Sequence, residues 1–201
     1  MKQGDRETTP GPDLLGNIRA IPQPAGPGKQ TSSCVLPSSL LHSWAMSYYF
    51  AVQQLTDLTP TEVHEVYKLR VSVFVNEQNT AYQEVDDTDI LPTTYHMLAW
   101  TDEEHKQLVG NIRIYEDIID NDEHVMRLGR VCVAESERGT GLAKELMRRT
   151  IEFADQTFPD KSLVLDARTP LVGWYEKFGF RTIAEPYPFA DITLTPMKKI
   201  H

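Results

Sequence analysis

A short apolar run, Leu128-Gly129-Arg130-Val131-Cys132-Val133, passes through a four-residue connection into Arg138-Gly139-Thr140-Gly141-Leu142-Ala143 and then into an amphipathic stretch. Along that stretch Ala143, Leu146, Met147, Ile151 and Ala154 fall on one helical face, and Lys144, Glu145, Arg148, Arg149, Glu152 and Asp155 on the other. The pattern predicts a strand, a glycine turn and a long helix ending near Phe158-Pro159. Chemically the turn is an anion site. The first amides of a helix have no intrahelical acceptor, and the helix dipole adds positive potential there. Glycines let the backbone approach a ligand closely, and Arg138 places a charge at the rim. The dinucleotide fingerprint does not fit, because it needs G-x-G-x-x-G early in a repeating strand-helix array. A kinase-type phosphate loop needs Gly-Lys-Ser/Thr, which the turn lacks.

The rest of the chain sets the frame for that turn. Its 201 residues suit one domain or a domain plus a tail, and 40% hydrophobic against 24% charged residues is enough to build a core. A formal charge of −9 argues against a general nucleic-acid or anionic-membrane binder. Two cysteines, Cys34 and Cys132, are too few for a disulfide framework. Cys132, inside an apolar run, reads as a buried inert thiol. Neither an apolar stretch of the ~20 residues that span a bilayer nor a signal peptide is evident, so a cytoplasmic location is expected.

Residues 1–45 are rich in Gly and Pro, without periodicity, and read as a disordered extension. Met46 is a candidate true start, with residues 46–201 as the folded domain. Tyr48 to Leu55 is rich in strand formers. Thr59-Pro60-Thr61-Glu62 then has the pattern of a capped helix start, followed by Val63, Val66, Tyr67, Val71 and Phe74 at helical spacing. Ala81 to Pro92 is acidic and turn-rich, with Asp86, Asp87 and Asp89, and reads as a solvated loop that could attract a cation. Tyr95 to Trp100, Leu108 to Tyr115 and Val125 to Val133 read as strands, the first two joined by a turn at residues 102–105. In the second, Val109, Asn111, Arg113 and Tyr115 alternate with Gly110, Ile112 and Ile114. Beyond the long helix come a strand at Leu163 to Leu165, a short helix from Pro170 to Phe178, and two strands, Phe180 to Ala184 and Asp191 to Met197. This is a mixed α/β or α+β layer with helices on a central sheet.

The turn Arg138-Gly139-Thr140-Gly141-Leu142-Ala143 resembles the Arg/Gln-x-x-Gly-x-Gly/Ala signature of the GNAT N-acetyltransferase superfamily. Trp174-Tyr175-Glu176-Lys177-Phe178-Gly179-Phe180 resembles that family's Tyr-Glu-Lys-x-Gly-Phe segment. The similarity covers roughly residues 48–201. Leu69, Arg70, Val73, Phe74, Val75, Glu77 and Gln78, followed by the acidic loop and Leu128-Gly129-Arg130-Val131, are similar to the ElaA-like acetyltransferases. Arg70, Phe74 and Arg113 are also similar to the pattern of acyl-homoserine lactone synthases. The tryptophan expected in that group between the phenylalanine and the acidic loop is missing.

The resemblance implies the GNAT fold: a central mixed, mostly antiparallel sheet of six to seven strands, flanked by helices and splayed at the cofactor cleft. It implies acetyl-CoA as the acyl donor, no metal, and a small-molecule or peptide amine as acceptor; a homodimer fits the fold. Backbone groups of Val131, Cys132 and Val133 would hold the pantetheine arm like an added strand, one of them polarising the thioester. The amides from Arg138 through Gly139, Thr140, Gly141, Leu142 and Ala143 to Lys144 would hold the pyrophosphate. Tyr175 would protonate the departing thiolate. Arg70, Phe74, Glu77, Arg113 and Glu116 are candidates for the acceptor side. Glu116, Asp117, His96 and Glu84 are open as bases, alongside an ordered water. Where the family often has an asparagine, seven residues before the tyrosine, this chain has Arg168. A non-catalytic acetyl-CoA-binding module is the main alternative, and a lactone synthase the lesser one.

Overall fold

The computed structural model describes residues 48–79, 82–101 and 107–200. The extension at 1–45, Met46 and the turn at 102–105 lie outside the described residues.

Thr59 caps the first helix, as its sequence predicts. Its hydroxyl accepts from the Glu62 amide at 3.3 Å, and the Glu62 carboxylate accepts from the Thr59 amide at 2.9 Å. Helix α1 (Pro60–Arg70) then continues as a π-helical stretch, Val71–Glu77, where α-helical spacing through Phe74 was expected. Helix α2 (Leu142–Thr157) opens at Gly141, and the short α3 (Val172–Glu176) occupies the middle of the predicted span.

The strands are β1 (Tyr49–Gln53), β2 (Tyr95–Trp100), β3 (Leu108–Ile119), β4 (Glu123–Val133), β5 (Leu163–Arg168), β6 (Arg181–Thr182), β7 (Tyr187–Phe189) and β8 (Ile192–Lys199). They form one sheet of eight in the order β1-β2-β3-β4-β5-β8-β6, with β7 also on β8. Every pairing is antiparallel except β4 with β5. The sheet thus has one strand more than expected. The extra one, Tyr187-Pro188-Phe189, is three residues around a proline and has no periodicity to read.

Helix α2 lays Leu142, Leu146, Met147 and Ala154 on one face of the sheet, against Ala99, Ile112, Ile114 and Met126. Helix α1 covers the other face, where Val66, Leu69 and Val73 meet Leu98, Trp100 and Leu108. Because both faces are covered, β3 is buried continuously from Leu108 to Ile114, and its alternation does not separate a wet face from a dry one. At Gly110 the close approach of α2 leaves no room: a Cβ there would sit 3.2 Å from both Ala99 Cβ and Leu146 Cδ2.

The middle of the sheet is irregular in two places. Between β3 and β4 the register shifts, with Asn111 opposite Cys132 but Arg113 opposite Gly129, so Arg130 and Val131 together oppose Ile112. Arg130 takes φ of +52° there, the left-handed conformation of a bulge. Between β4 and β5 pairing runs only from Met126↔Leu163 to Leu128↔Leu165. Past Leu128 the edge of β4 that faces β5 has no strand beside it among the described residues.

Candidate active site

The parting of β4 and β5 opens a cavity of about 610 Å³. Among its walls are Phe74 from the π-helical stretch and Gln78 just after it, Arg113 from β3, Val131 from β4, Arg168 from β5 and Tyr175 from α3. Substrate-sized pockets fall in this range of volume.

Beyond β4 the chain makes the predicted turn. Gly139 and Gly141 take φ of +78° and +93°, a region that other side chains rarely enter. Gly141 caps α2 without a side-chain bond, leaving the amide end of the helix open to an anion. Thr140 braces the turn from within, its hydroxyl donating to the Glu137 carbonyl at 2.7 Å and accepting from the Leu142 amide at 3.3 Å. The buried Glu137 carboxylate below accepts from the Tyr48 hydroxyl at 2.5 Å. Arg138 is engaged: its Nη1 and Nη2 donate to the two carboxylate oxygens of Glu77 at 2.8 and 2.7 Å.

The acidic loop departs most from its expected role. Asp86 and Asp89 are not a solvated cation trap. Asp89 is 1% exposed and accepts from Arg70 Nη1 at 2.7 Å and Arg113 Nη1 at 2.9 Å. Asp86 accepts from Arg113 Nη1 at 2.7 Å and Arg130 Nη2 at 3.0 Å. Glu84 is buried too, paired with Arg70 Nε at 2.6 Å and Arg130 Nε at 2.9 Å. Burial works to raise the Asp89 pKa, but the hydrogen bonds and charges of Arg70 and Arg113 outweigh it and hold it below the usual value. Only Asp87 stays exposed. The bulge at Arg130 and the loop are therefore one construction.

The sequence-predicted residues divide accordingly. Phe74, Arg113, Val131 and Tyr175 line the cavity. Arg70 is fully buried and its guanidinium is spent on Glu84 and Asp89. Glu116 sits beside Lys161 and His124, outside the cavity wall, and Asp117 pairs with Arg127 at 2.5 Å. His96 is buried, its Nδ1 3.3 Å from Asn111 Oδ1. Glu77, at the end of the π-helical stretch, and the span from Arg138 to Lys144, at the start of α2, stand outside the cavity; within that span Leu142 is buried. Cys132 is buried, and burial pushes its thiol up to about 12, so it is not a thiolate nucleophile near neutral pH.

Tyr175 is 6% exposed, edge-on to Trp174 and Phe180 with centroids 4.9 and 6.2 Å away. Among the described residues its hydroxyl has no hydrogen-bond partner. Burial pushes its pKa up to about 12, so it holds its proton across the ordinary pH range. Sequence reading did not place Arg127, Asp166 and Tyr187 here, although all three line the cavity. Arg127 Nη1 donates to Asp166 at 2.6 Å. For Arg127 and Asp166 the one available signal was position, on the two strands that flank the splay; Tyr187, on β7, had none.

Comparison with known proteins gives a consistent result. The family model described as the acetyltransferase (GNAT) domain matches residues 54–201. Protein ElaA of Escherichia coli K12 is 35% identical over 132 residues, covering 66% of this chain and 83% of that protein. Among solved structures, an acyl-CoA N-acyltransferase from Pseudomonas aeruginosa superposes with a TM-score of 0.69 at 32% identity. Escherichia coli ElaA superposes with a TM-score of 0.69 at 30%. Each of these matches covers 77% of this chain and 100% of the other.

Proposed function

The chain belongs to the GNAT acetyltransferase family, and we propose that residues 46–201 form one domain that transfers an acetyl group from acetyl-CoA to a primary amine by direct attack. The observation that carries the reading is the parting of β4 and β5 past Leu128 and Leu165: it opens a cavity lined by Tyr175 of α3, beside the strand β4 that leads to the glycine turn.

In this reading the amides from Arg138 to Lys144 hold the pyrophosphate of the cofactor. Arg138 reaches an anion only by sharing or leaving the Glu77 carboxylate, so its part is smaller than that of the backbone. The free edge of β4 at Val131 to Val133 receives the pantetheine arm as a strand would. An amide near Val133 stabilises the oxyanion. The neutral amine nitrogen attacks the thioester carbon, the C–S bond breaks, and the departing sulfur takes its proton from the Tyr175 hydroxyl. The proton lost by the nitrogen leaves through water, since Glu116 and His96 do not line the cavity. No enzyme-bound acyl group is needed, which agrees with the inert Cys132.

Phe74 and Arg113 form part of the acceptor wall, and Arg70 supports it from behind. The enzyme is cytoplasmic and a homodimer in this reading; cell fractionation and light scattering test those two points. The central test is thiol release from acetyl-CoA with a panel of polyamines, amino acids and peptides. Amine-dependent release supports the reading. Acetyl-CoA binding without release in the presence of any amine overturns it in favour of a non-catalytic module.

A further inference from the structure

The cavity wall carries more arginines than carboxylates. Arg113, Arg127, Arg130 and Arg168 contribute to its walls, as do two carboxylates, Asp86 and Asp166. Three of the four are accounted for inside the protein. Arg113 and Arg130 share Asp86, with Asp89 and Glu84 behind it. Arg127 is held between Asp117 at 2.5 Å and Asp166 at 2.6 Å. Arg168 differs. Its Nη1 donates to the neutral Gln78 side-chain oxygen at 2.7 Å, and among the described residues it has no carboxylate partner. A guanidinium carries five donors in a planar fork, and its natural complement is a carboxylate bound through two of them.

We propose that the acceptor is a small amino acid whose α-carboxylate docks on Arg168 while its amine meets the thioester beside Tyr175. This rests on the acetyl-transfer reading and narrows it to a substrate class. Three observations lead there. Arg168 and Tyr175 line the same cavity, so one small molecule can meet both. The cavity, about 610 Å³, has to take the acyl end of the cofactor as well, which leaves room for a compact acceptor rather than a folded partner. Leu171, Ile192 and Leu194 supply apolar wall beside the arginine, suited to an aliphatic side chain. Gln78 sets the direction of the guanidinium and leaves its remaining donors to the ligand. Arg168 is thus a specificity-determining residue, not an acid or base. The phosphates of coenzyme A would offer an arginine the same kind of charge, so the test separates the two sources.

The experiment compares L-leucine with L-leucinamide as acceptors, in the full chain and in its Arg168→Gln and Arg168→Lys variants. Acetyl-CoA affinity is measured alongside by calorimetry. The expected result is a kcat/KM for the free acid about tenfold to a hundredfold above that for the amide, the range of a charge-assisted hydrogen bond. Arg168→Gln brings the acid down to the level of the amide, and Arg168→Lys restores part of the difference. The dissociation constant for acetyl-CoA stays within about twofold. Equal use of acid and amide by the full chain overturns the proposal while leaving acetyl transfer intact. So does an Arg168→Gln variant that loses acetyl-CoA affinity and keeps its acid preference. Binding of N-acetyl-L-leucine and its amide to the coenzyme A complex gives a readout without turnover, with tighter binding of the acid expected. If no amine is acetylated and neither product analogue binds, this proposal and the broader reading fall together.

Discussion

The Tyr48 hydroxyl donates to the Glu137 carboxylate at 2.5 Å across 89 positions of sequence, and so fastens the start of the described domain to the base of the glycine turn. Glu137 is 4% exposed, and its backbone carbonyl accepts from Thr140 inside the turn. Tyr48→Phe removes the donor and leaves a buried carboxylate poorly satisfied. A cost of about 1–3 kcal/mol in stability is expected. Because the same glutamate anchors the turn, acetyl-CoA affinity falls with it. Urea denaturation and calorimetry of the variant check the two effects together. A fragment of residues 46–201 is expected to keep both properties and one of residues 50–201 to lose both.

That contact also marks how far the sequence was legible. The glycine turn, the N-terminal cap of α1, the face of α2 and the strands from Tyr95 to Val133 were readable because each is written in neighbouring residues: cap spacing, period 3.6, or turn glycines. The acidic loop was misread because its meaning lies elsewhere in the chain. Glu84 and Asp89 look solvated until Arg70, Arg113 and Arg130 are brought over them, 14 to 46 positions away. The cavity depends on the pairing between β4 and β5 ending at Leu128 and Leu165, and no local pattern announces where two strands part. Tyr175 was found by its motif. Arg168 was noticed in the sequence as a departure from one, and its neutral partner Gln78 became visible only in three dimensions.

Tyr175 supports a prediction with two readouts. As the group that protonates the departing thiolate, its loss in Tyr175→Phe should lower turnover by about 10²–10⁴-fold, the usual size of general acid catalysis. Acetyl-CoA affinity should hardly change, since the ring and its contacts with Trp174 and Phe180 remain. The pKa gives the sign of the pH dependence. Burial pushes the phenol up to about 12, so the acid form is lost only as pH rises through about 12. No alkaline fall in turnover traceable to Tyr175 is expected below that. Unchanged turnover in the variant would remove the residue from the mechanism.

Arg70 tests the buried charge cluster. It is fully buried and donates to Glu84 at 2.6 Å and to Asp89 at 2.7 Å. Taking two charges out of water is costly, and removing one partner leaves the others uncompensated. Arg70→Met should therefore destabilise by about 3–5 kcal/mol. The double variant Arg70→Met with Asp89→Asn should recover part of that loss, which a simple packing defect would not allow. Denaturant midpoints of the single and double variants decide between the two.

His96 gives the acid side of the stability profile. Its ring is fully buried, with Nδ1 against Asn111 and no hydrogen-bond partner for Nε2 among the described residues. Burial lowers its pKa from 6.5, and the nearby Asp89 charge only partly opposes this. The unfolded chain therefore binds a proton at a pH where the folded one does not. The stability contributed by the neutral ring is complete above about pH 6.5 and declines as pH falls below it, by up to about 1.4 kcal/mol per pH unit for one proton. Asp86 and Asp89, held below their usual 3.8, add a second loss as pH drops through the carboxylate range. Stability should be flat near pH 7–8, begin to fall as pH drops below about 6.5, and lose a second contribution below about 4. His96→Gln removes the first decline and keeps the second. Urea midpoints for both proteins at pH 8, 6, 5 and 4 measure the difference, and a wild-type protein that gains stability from pH 7 to 5 would refute the assignment.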